Sequence, residues 1–226
     1  LKGKAEPYRL HRARRVIAAR RGEGRAAGLE PPFVGRARAL RLLQALFPAC
    51  AEERRARLVS IVGIAGIGKS RLSWEFEKYI DGLVDEVRWH RGRCLAYGDG
   101  VAYWALAEMV RMRARIAEDE PQGHALPKLL AVVEATIPDA EEREWVGPRL
   151  AHLLALGESQ SFERQDLFSA WRLFFERLSD TGPVALVFED LQWADASLLD
   201  FVEHLLDWSR SHPIFVLALT RPEITE

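Results

Sequence analysis

Within this chain of 226 residues, one run, SIVGIAGIGKSRLSWEF (60–76), sets glycines at 63, 66 and 68 directly ahead of Lys69 and Ser70. Gly63, Gly68, Lys69 and Ser70 satisfy the spacing G-x-x-x-x-G-K-[ST]. A loop that wraps a polyphosphate must turn its backbone N–H groups inward, through angles glycine tolerates and with no room for Cβ atoms; Gly63, Gly66 and Gly68 meet that need. The helix that starts near Lys69 adds unsatisfied donors and the positive end of its dipole. Lys69 reaches the β and γ phosphates of a nucleotide, and the Ser70 hydroxyl is a ligand for Mg²⁺. Ile67 and Arg71 complete the run assigned to cofactor contact.

A second group lies far along the chain. VALVFED (184–190) is an apolar strand that ends in Glu189 and Asp190, so it lifts two carboxylates to the sheet edge where phosphates would lie. One carboxylate holds Mg²⁺ and the other orients or deprotonates the attacking water. Position assigns Glu189 to the metal and Asp190 to the base; a Glu where such sites usually carry Asp leaves that division open. Arg221, at the exit of the next strand, is the candidate γ-phosphate sensor. These assignments make Lys69, Glu189, Asp190 and Arg221 the candidate catalytic set.

The elements that must carry these residues are legible from periodicity. LVSIV (58–62), VRWHRGRC (87–94), VALVF (184–188) and IFVLAL (214–219) read as strands. A helix follows Lys69 with Leu72, Phe76 and Tyr79 or Ile80 on one face. Another covers Arg36 to Leu46, with Leu40, Leu43 and Phe47 along one side and Pro48 expected to end or bend it. Residues 106–178 form a helical block broken by proline, glycine or acidic residues. ADASLLDFVEHLLDWS is one amphipathic helix with Asp195 as its N-cap. Strands alternating with helices predict a doubly wound parallel α/β sheet with helices on both faces and a helical insertion. Because a strand intervenes between the first and the third in chain order, the third is expected to lie away from the first, leaving room for the fourth beside the phosphate loop.

Composition bounds the rest. At 48% hydrophobic residues the chain can bury a full core, and no window approaches 18 consecutive apolar residues, so a membrane span is not expected. The N-terminus lacks the apolar stretch of a signal peptide, which together with two cysteines, Cys50 and Cys94, points to the cytoplasm and reduced thiols. Residues 1–25 carry a net charge of +7 and the remainder −8. Without interleaved aromatics that basic arm reads as a solvated linker helix, which argues against direct nucleic-acid binding. His90 and Cys94, four apart on one strand, are read as packing residues because two ligands do not make a zinc site. The seven tryptophans are read as core.

Taken together, PFVGR (32–36), VGIAGIGKSRL (62–72), GRCLAYGDGVAYWALAEMVR (92–111), LVFEDLQWAD (186–195) and LALTRPE (217–223) resemble the P-loop ATPase domain of STAND-type signalling ATPases, relatives of AAA proteins found in large bacterial regulators. The resemblance implies that Val34, Gly35 and Arg36 border the adenine, that the loop binds ATP or ADP with Mg²⁺, and that Arg221 occupies the sensor position. Members look like switches in which nucleotide state opens or closes an attached signalling module. The chain departs from the pattern at Ala37, where Glu is usual, and at Pro48. It also ends before the fifth strand and lid that such proteins place over the nucleotide, so the domain is read as C-terminally truncated. LKGKAEPYRLHRA, at the start, resembles the exit of a class III nucleotidyl cyclase domain.

The organisation read from this is a cyclase end over 1–12, a basic linker over 13–31 and the ATPase domain over 32–226. The expected function is ATP–Mg²⁺ binding with slow hydrolysis, as a regulatory switch joined to signalling domains. A non-hydrolysing scaffold whose helical block docks a protein partner is the alternative, as is the ATPase module of a DNA-binding regulator. Oligomerisation is left open.

Overall fold

The computed structural model describes residues 32–83, 86–96, 102–157 and 160–222. The cyclase-like start, the basic linker and the aromatic turn at 97–101 lie outside the described residues. Residues up to Ala37 belong to one unit and Arg38 onward to a second. In that first unit Gly35 turns through a left-handed φ of 79°.

Helix α1 (Ala37–Glu52) leads to strand β1 (Arg57–Val62), α2 (Lys69–Asp81) and β2 (Arg88–Arg93). Four helices follow: α3 (Trp104–Ala114), α4 (Gln122–Thr136), α5 (Ala140–Leu153) and α6 (Arg164–Ser179). The chain then closes with β3 (Val184–Glu189), α7 (Ala196–Trp208) and β4 (Ile214–Thr220). All four strands are parallel, in the order β1-β4-β3-β2. The doubly wound parallel α/β architecture is therefore as the sequence predicts, with β4 seated between the phosphate-loop strand and the acidic strand.

The sheet buries two faces. β3 and β4 alternate strictly: Val184, Leu186, Phe188, Ile214, Val216 and Ala218 enter the large core under α3–α7. Phe215, also on β4, meets Phe47 of α1 and Phe76 of α2 at ring separations of 5.5 and 5.7 Å, so the odd set of positions faces α1 and α2. Both strands are fully buried, as continuous apolar runs in a covered parallel sheet should be. β1 differs: Leu58 and Val62 are about half exposed, because this strand is the edge and, among the described residues, nothing covers it on the α7 side.

Pro48 does not end α1. The helix runs on to Glu52, with Phe47 and Cys50 both buried. The missing N–H costs one hydrogen bond, and the anchoring of one residue on each side of the proline outweighs it. Pro127 and Pro148 likewise sit inside α4 and α5. The Asp195 cap holds as expected, its carboxylate accepting from Leu198 N at 2.8 Å.

Gly92 is required by packing, since a Cβ there would lie 1.9 Å from the Ala105 carbonyl oxygen. α3 thus presses directly on the outer edge of β2. The tryptophans are not a core set: Trp171 is buried, Trp193 and Trp208 are exposed and the others are half-buried. Cations cover several of them, with Lys78 over Trp74 at 3.6 Å and Arg149 over Trp145 at 4.6 Å. A large ring with a polar edge gains from such partly exposed stacking, which an apolar-content reading misses.

Candidate functional site

The site grows from the carboxyl edge of the sheet. Val62 is in register with Thr220, and Gly63 N donates to Thr220 O at 3.1 Å, which fixes where the loop leaves β1. Phe188 is in register with Ala218, so Glu189 and Asp190 emerge at the same edge. β1 and β3 each flank β4, which separates their ends by about 10 Å. Arg221 follows Thr220 directly, between the two. The tertiary structure therefore gathers Gly63–Arg71, Glu189, Asp190 and Arg221 along one rim.

Gly66 and Gly68 adopt left-handed φ values of 74° and 95°. Gly63 is held for a different reason: a Cβ there would sit 2.9 Å from the Ile67 side chain. Ile67 N donates to Ile64 O at 3.4 Å, whereas the amides of Gly66, Gly68, Lys69 and Ser70 donate to no group among the described residues. Those amides are the orphan donors of the α2 N-terminus and the loop before it. Lys69 Nζ donates to the carbonyls of Gly63 at 2.6 Å and Ile64 at 3.2 Å, which folds the ammonium back over the loop. Ser70 is exposed at the first turn of α2. Arg71 is turned aside: its Nε donates to Glu75 at 2.7 Å and its guanidinium lies 4.9 Å from the Trp74 ring.

The two acids differ in setting. The Glu189 side chain is only 4% exposed, and Arg93 Nη2 donates to it at 3.2 Å. Asp190, with a left-handed φ of 56°, starts a short 3₁₀ turn (Leu191–Trp193) and keeps its side chain nearly half exposed. Arg221 sits 5.8 Å from the Trp193 ring. Nearby, the Cys94 thiol is pushed up to about 12 by burial and by the fields of Asp195, Asp190 and Glu108, so it stays protonated and unreactive. His90 is buried, its Nδ1 donating to the Arg88 carbonyl at 3.0 Å. Both are buried packing residues, His90 on β2 and Cys94 directly after it, as read from the sequence.

Three residues at this rim were not singled out from sequence. Arg91 and Arg93 lie two apart on β2, on one side of the strand, and both approach Glu189. Their signal was an Arg-x-Arg alternation on a strand destined to pair with an acidic one. Gln192 buries both amide atoms with no partner among the described residues, and nothing in its surrounding sequence marks it.

The residues present fit a nucleotide with magnesium. Free amides and an ammonium suit phosphate oxygens, while the Ser70 hydroxyl and the Glu189 carboxylate are hard oxygen donors. No group of three His, Cys, Asp or Glu side chains gathers among the described residues. Magnesium does not need one, because it commonly takes one or two protein ligands and completes its shell with phosphate and water.

A phosphate loop joining the first strand to its helix, facing acids two strands away on a parallel sheet, defines the P-loop nucleoside triphosphatase class. Within that class the chain belongs to the AAA ATPase domain family, whose family model matches residues 32–217. Nucleotide binding and ATP hydrolysis are the general properties of that family. Among curated proteins, none matches the chain. No helix among the described residues is long and apolar enough to cross a membrane.

Proposed function

We propose that this domain binds ATP with Mg²⁺ at the 63–71 loop and hydrolyses it slowly, serving as a nucleotide switch in a larger cytoplasmic signalling protein. The observation that carries this reading is the set of amides of Gly66, Gly68, Lys69 and Ser70, unengaged among the described residues, beside a left-handed glycine pair. In this reading the amides and Lys69 take up the negative charge of the β and γ phosphates. Ser70 and Glu189 hold Mg²⁺, which when bound neutralises phosphate charge. Asp190, exposed at the rim, orients the attacking water and accepts its proton. Arg221 leaves Trp193 to balance charge at the γ phosphate. Val34, Gly35 and Arg36 contact the base, by resemblance to the STAND pattern. The cyclase-like first twelve residues support a nucleotidyl cyclase as the attached effector.

Lys69→Ala is expected to abolish ADP and ATP binding by calorimetry; unchanged affinity would remove the site assignment. Asp190→Asn is expected to keep that affinity and lose phosphate release. A second reading, a nucleotide-holding scaffold that does not turn over, is favoured by the guanidinium already seated on both acids. No phosphate release from the parent chain, with ADP still bound, would decide for it.

A further inference from the structure

We propose that Arg93 is a positioning residue for the acidic pair and competes with the metal for it, so that Mg²⁺ engages only when this guanidinium yields. The inference deepens the reading above and rests on it. Arg93 ends β2 and is in register with Glu189. Its Nη2 lies 3.2 Å from Glu189 Oε2, and its Nε lies 3.5 Å from Asp190 Oδ2. One planar group therefore spans both carboxylates, which a fork-shaped cation can do and a point charge cannot.

Arg91 is the other cation here, but its role is different. Its Nε is 3.8 Å from Glu189, while its Nη2 donates to Glu77 of α2 at 2.7 Å. That second bond moors Arg91 to the helix carrying the phosphate loop. Among the described residues the Arg93 side chain, 44% exposed, has no such mooring on a helix, yet its backbone is fixed because Arg93 N donates to Glu108 at 2.8 Å. A fixed base and a half-solvated head are what a group needs to swing between the acids and water.

A buried carboxylate such as Glu189 must have a cation or lose its charge. Arg93 supplies one, and the same oxygens are the ones a hard divalent ion would take. Removing Arg93 takes one guanidinium away from Glu189, with Arg91 still 3.8 Å from it, and directs more of its negative potential at the metal. Loop amides and Lys69 are untouched by this change, so nucleotide affinity in the absence of metal is insulated from it.

The test uses the 226-residue chain and its Arg93→Gln variant, with Arg93→Lys as the conservative control. ADP binding is measured by calorimetry in EDTA and then across a Mg²⁺ titration, with thermal melting recorded for each protein. In Arg93→Gln the Mg²⁺ concentration for half-maximal tightening of ADP is expected to fall about fivefold, the scale of a partly exposed ion pair. ADP affinity in EDTA is expected to stay at the parent value, and Arg93→Lys to lie between the two. An unchanged or raised Mg²⁺ requirement overturns the proposal. So does a parallel loss of ADP affinity in EDTA and in Mg²⁺, which marks a merely structural arginine. Failure of the parent to bind ADP at all overturns the site reading itself, and the competition with it.

Discussion

The two faces of the sheet are built to different depths. Under α3–α7, Trp171 meets Tyr103 at 4.8 Å and Phe201 at 5.8 Å, and Leu106, Met109, Leu129 and Leu150 are wholly buried around them. Under α1 and α2 the core is thinner, centred on Phe47, Phe76 and Phe215. The phosphate loop belongs to the thinner side. Its residues Ile64 and Ile67 are exposed, and its backbone holds two left-handed glycines. The face that holds the chain together is thus not the face that would grip phosphate. A loop that must receive a ligand cannot also satisfy its own amides.

Two substitutions test that division. Trp171→Ala, which empties the centre of the larger core and frees the Arg149 carbonyl bound by its indole N–H at 2.9 Å, is expected to cost about 3–5 kcal/mol in chemical denaturation. Below its melting transition it should keep the parent's ADP affinity. Phe76→Ala is expected to cost about 3 kcal/mol and to weaken ADP binding as well, because that ring seats α2, the helix the loop leads into, against Phe47 and Phe215. Equal effects of both variants on ADP affinity would erase the distinction between the faces.

The next effect is pH-dependent and belongs to β2. His90 is lowered to about 4 by burial, then by the neighbouring charge of Arg113; its hydrogen bond to the Arg88 carbonyl opposes this and the Arg88 charge adds to it. The unfolded chain takes up that proton near pH 6.5 while the folded one refuses it. Stability from this group is therefore complete above pH 6.5 and drains away as pH falls toward 4, by about 3 kcal/mol. Denaturation midpoints between pH 7 and 4 should fall less steeply in His90→Phe than in the parent. Identical slopes would show that His90 is not the group responsible.

The smallest effect is at the edge strand. Leu58→Ser, on the half-exposed face of β1, is expected to change stability by less than about 0.5 kcal/mol. A loss as large as that at Phe76 would mean that this face is covered in solution.

Much of this architecture was open to reading before any coordinates. The loop, the strand before it and the helix after it follow from local chemistry: glycine spacing, a β-branched run and apolar residues three and four apart. Asp195 as a cap was equally local. Arg91 and Arg93 were not, because their partners Glu77 and Glu189 lie 14 and 96 residues away. Nor was Gly92, whose lack of a side chain matters only because α3 closes on β2. Pro48 misled for the same reason: local propensity ends a helix there, and distant packing of Phe47 and Cys50 carries it through.

By itself the sequence determined which segments fold as strands and helices and where a polyanion could be gripped, since both depend on residues within a few positions of one another. Only the tertiary structure decided what neutralises Glu189, which tryptophans lie under cations and which side of the sheet stays thin. Those outcomes depend on charges and surfaces brought together across the whole chain, where separation in sequence carries no distance in space.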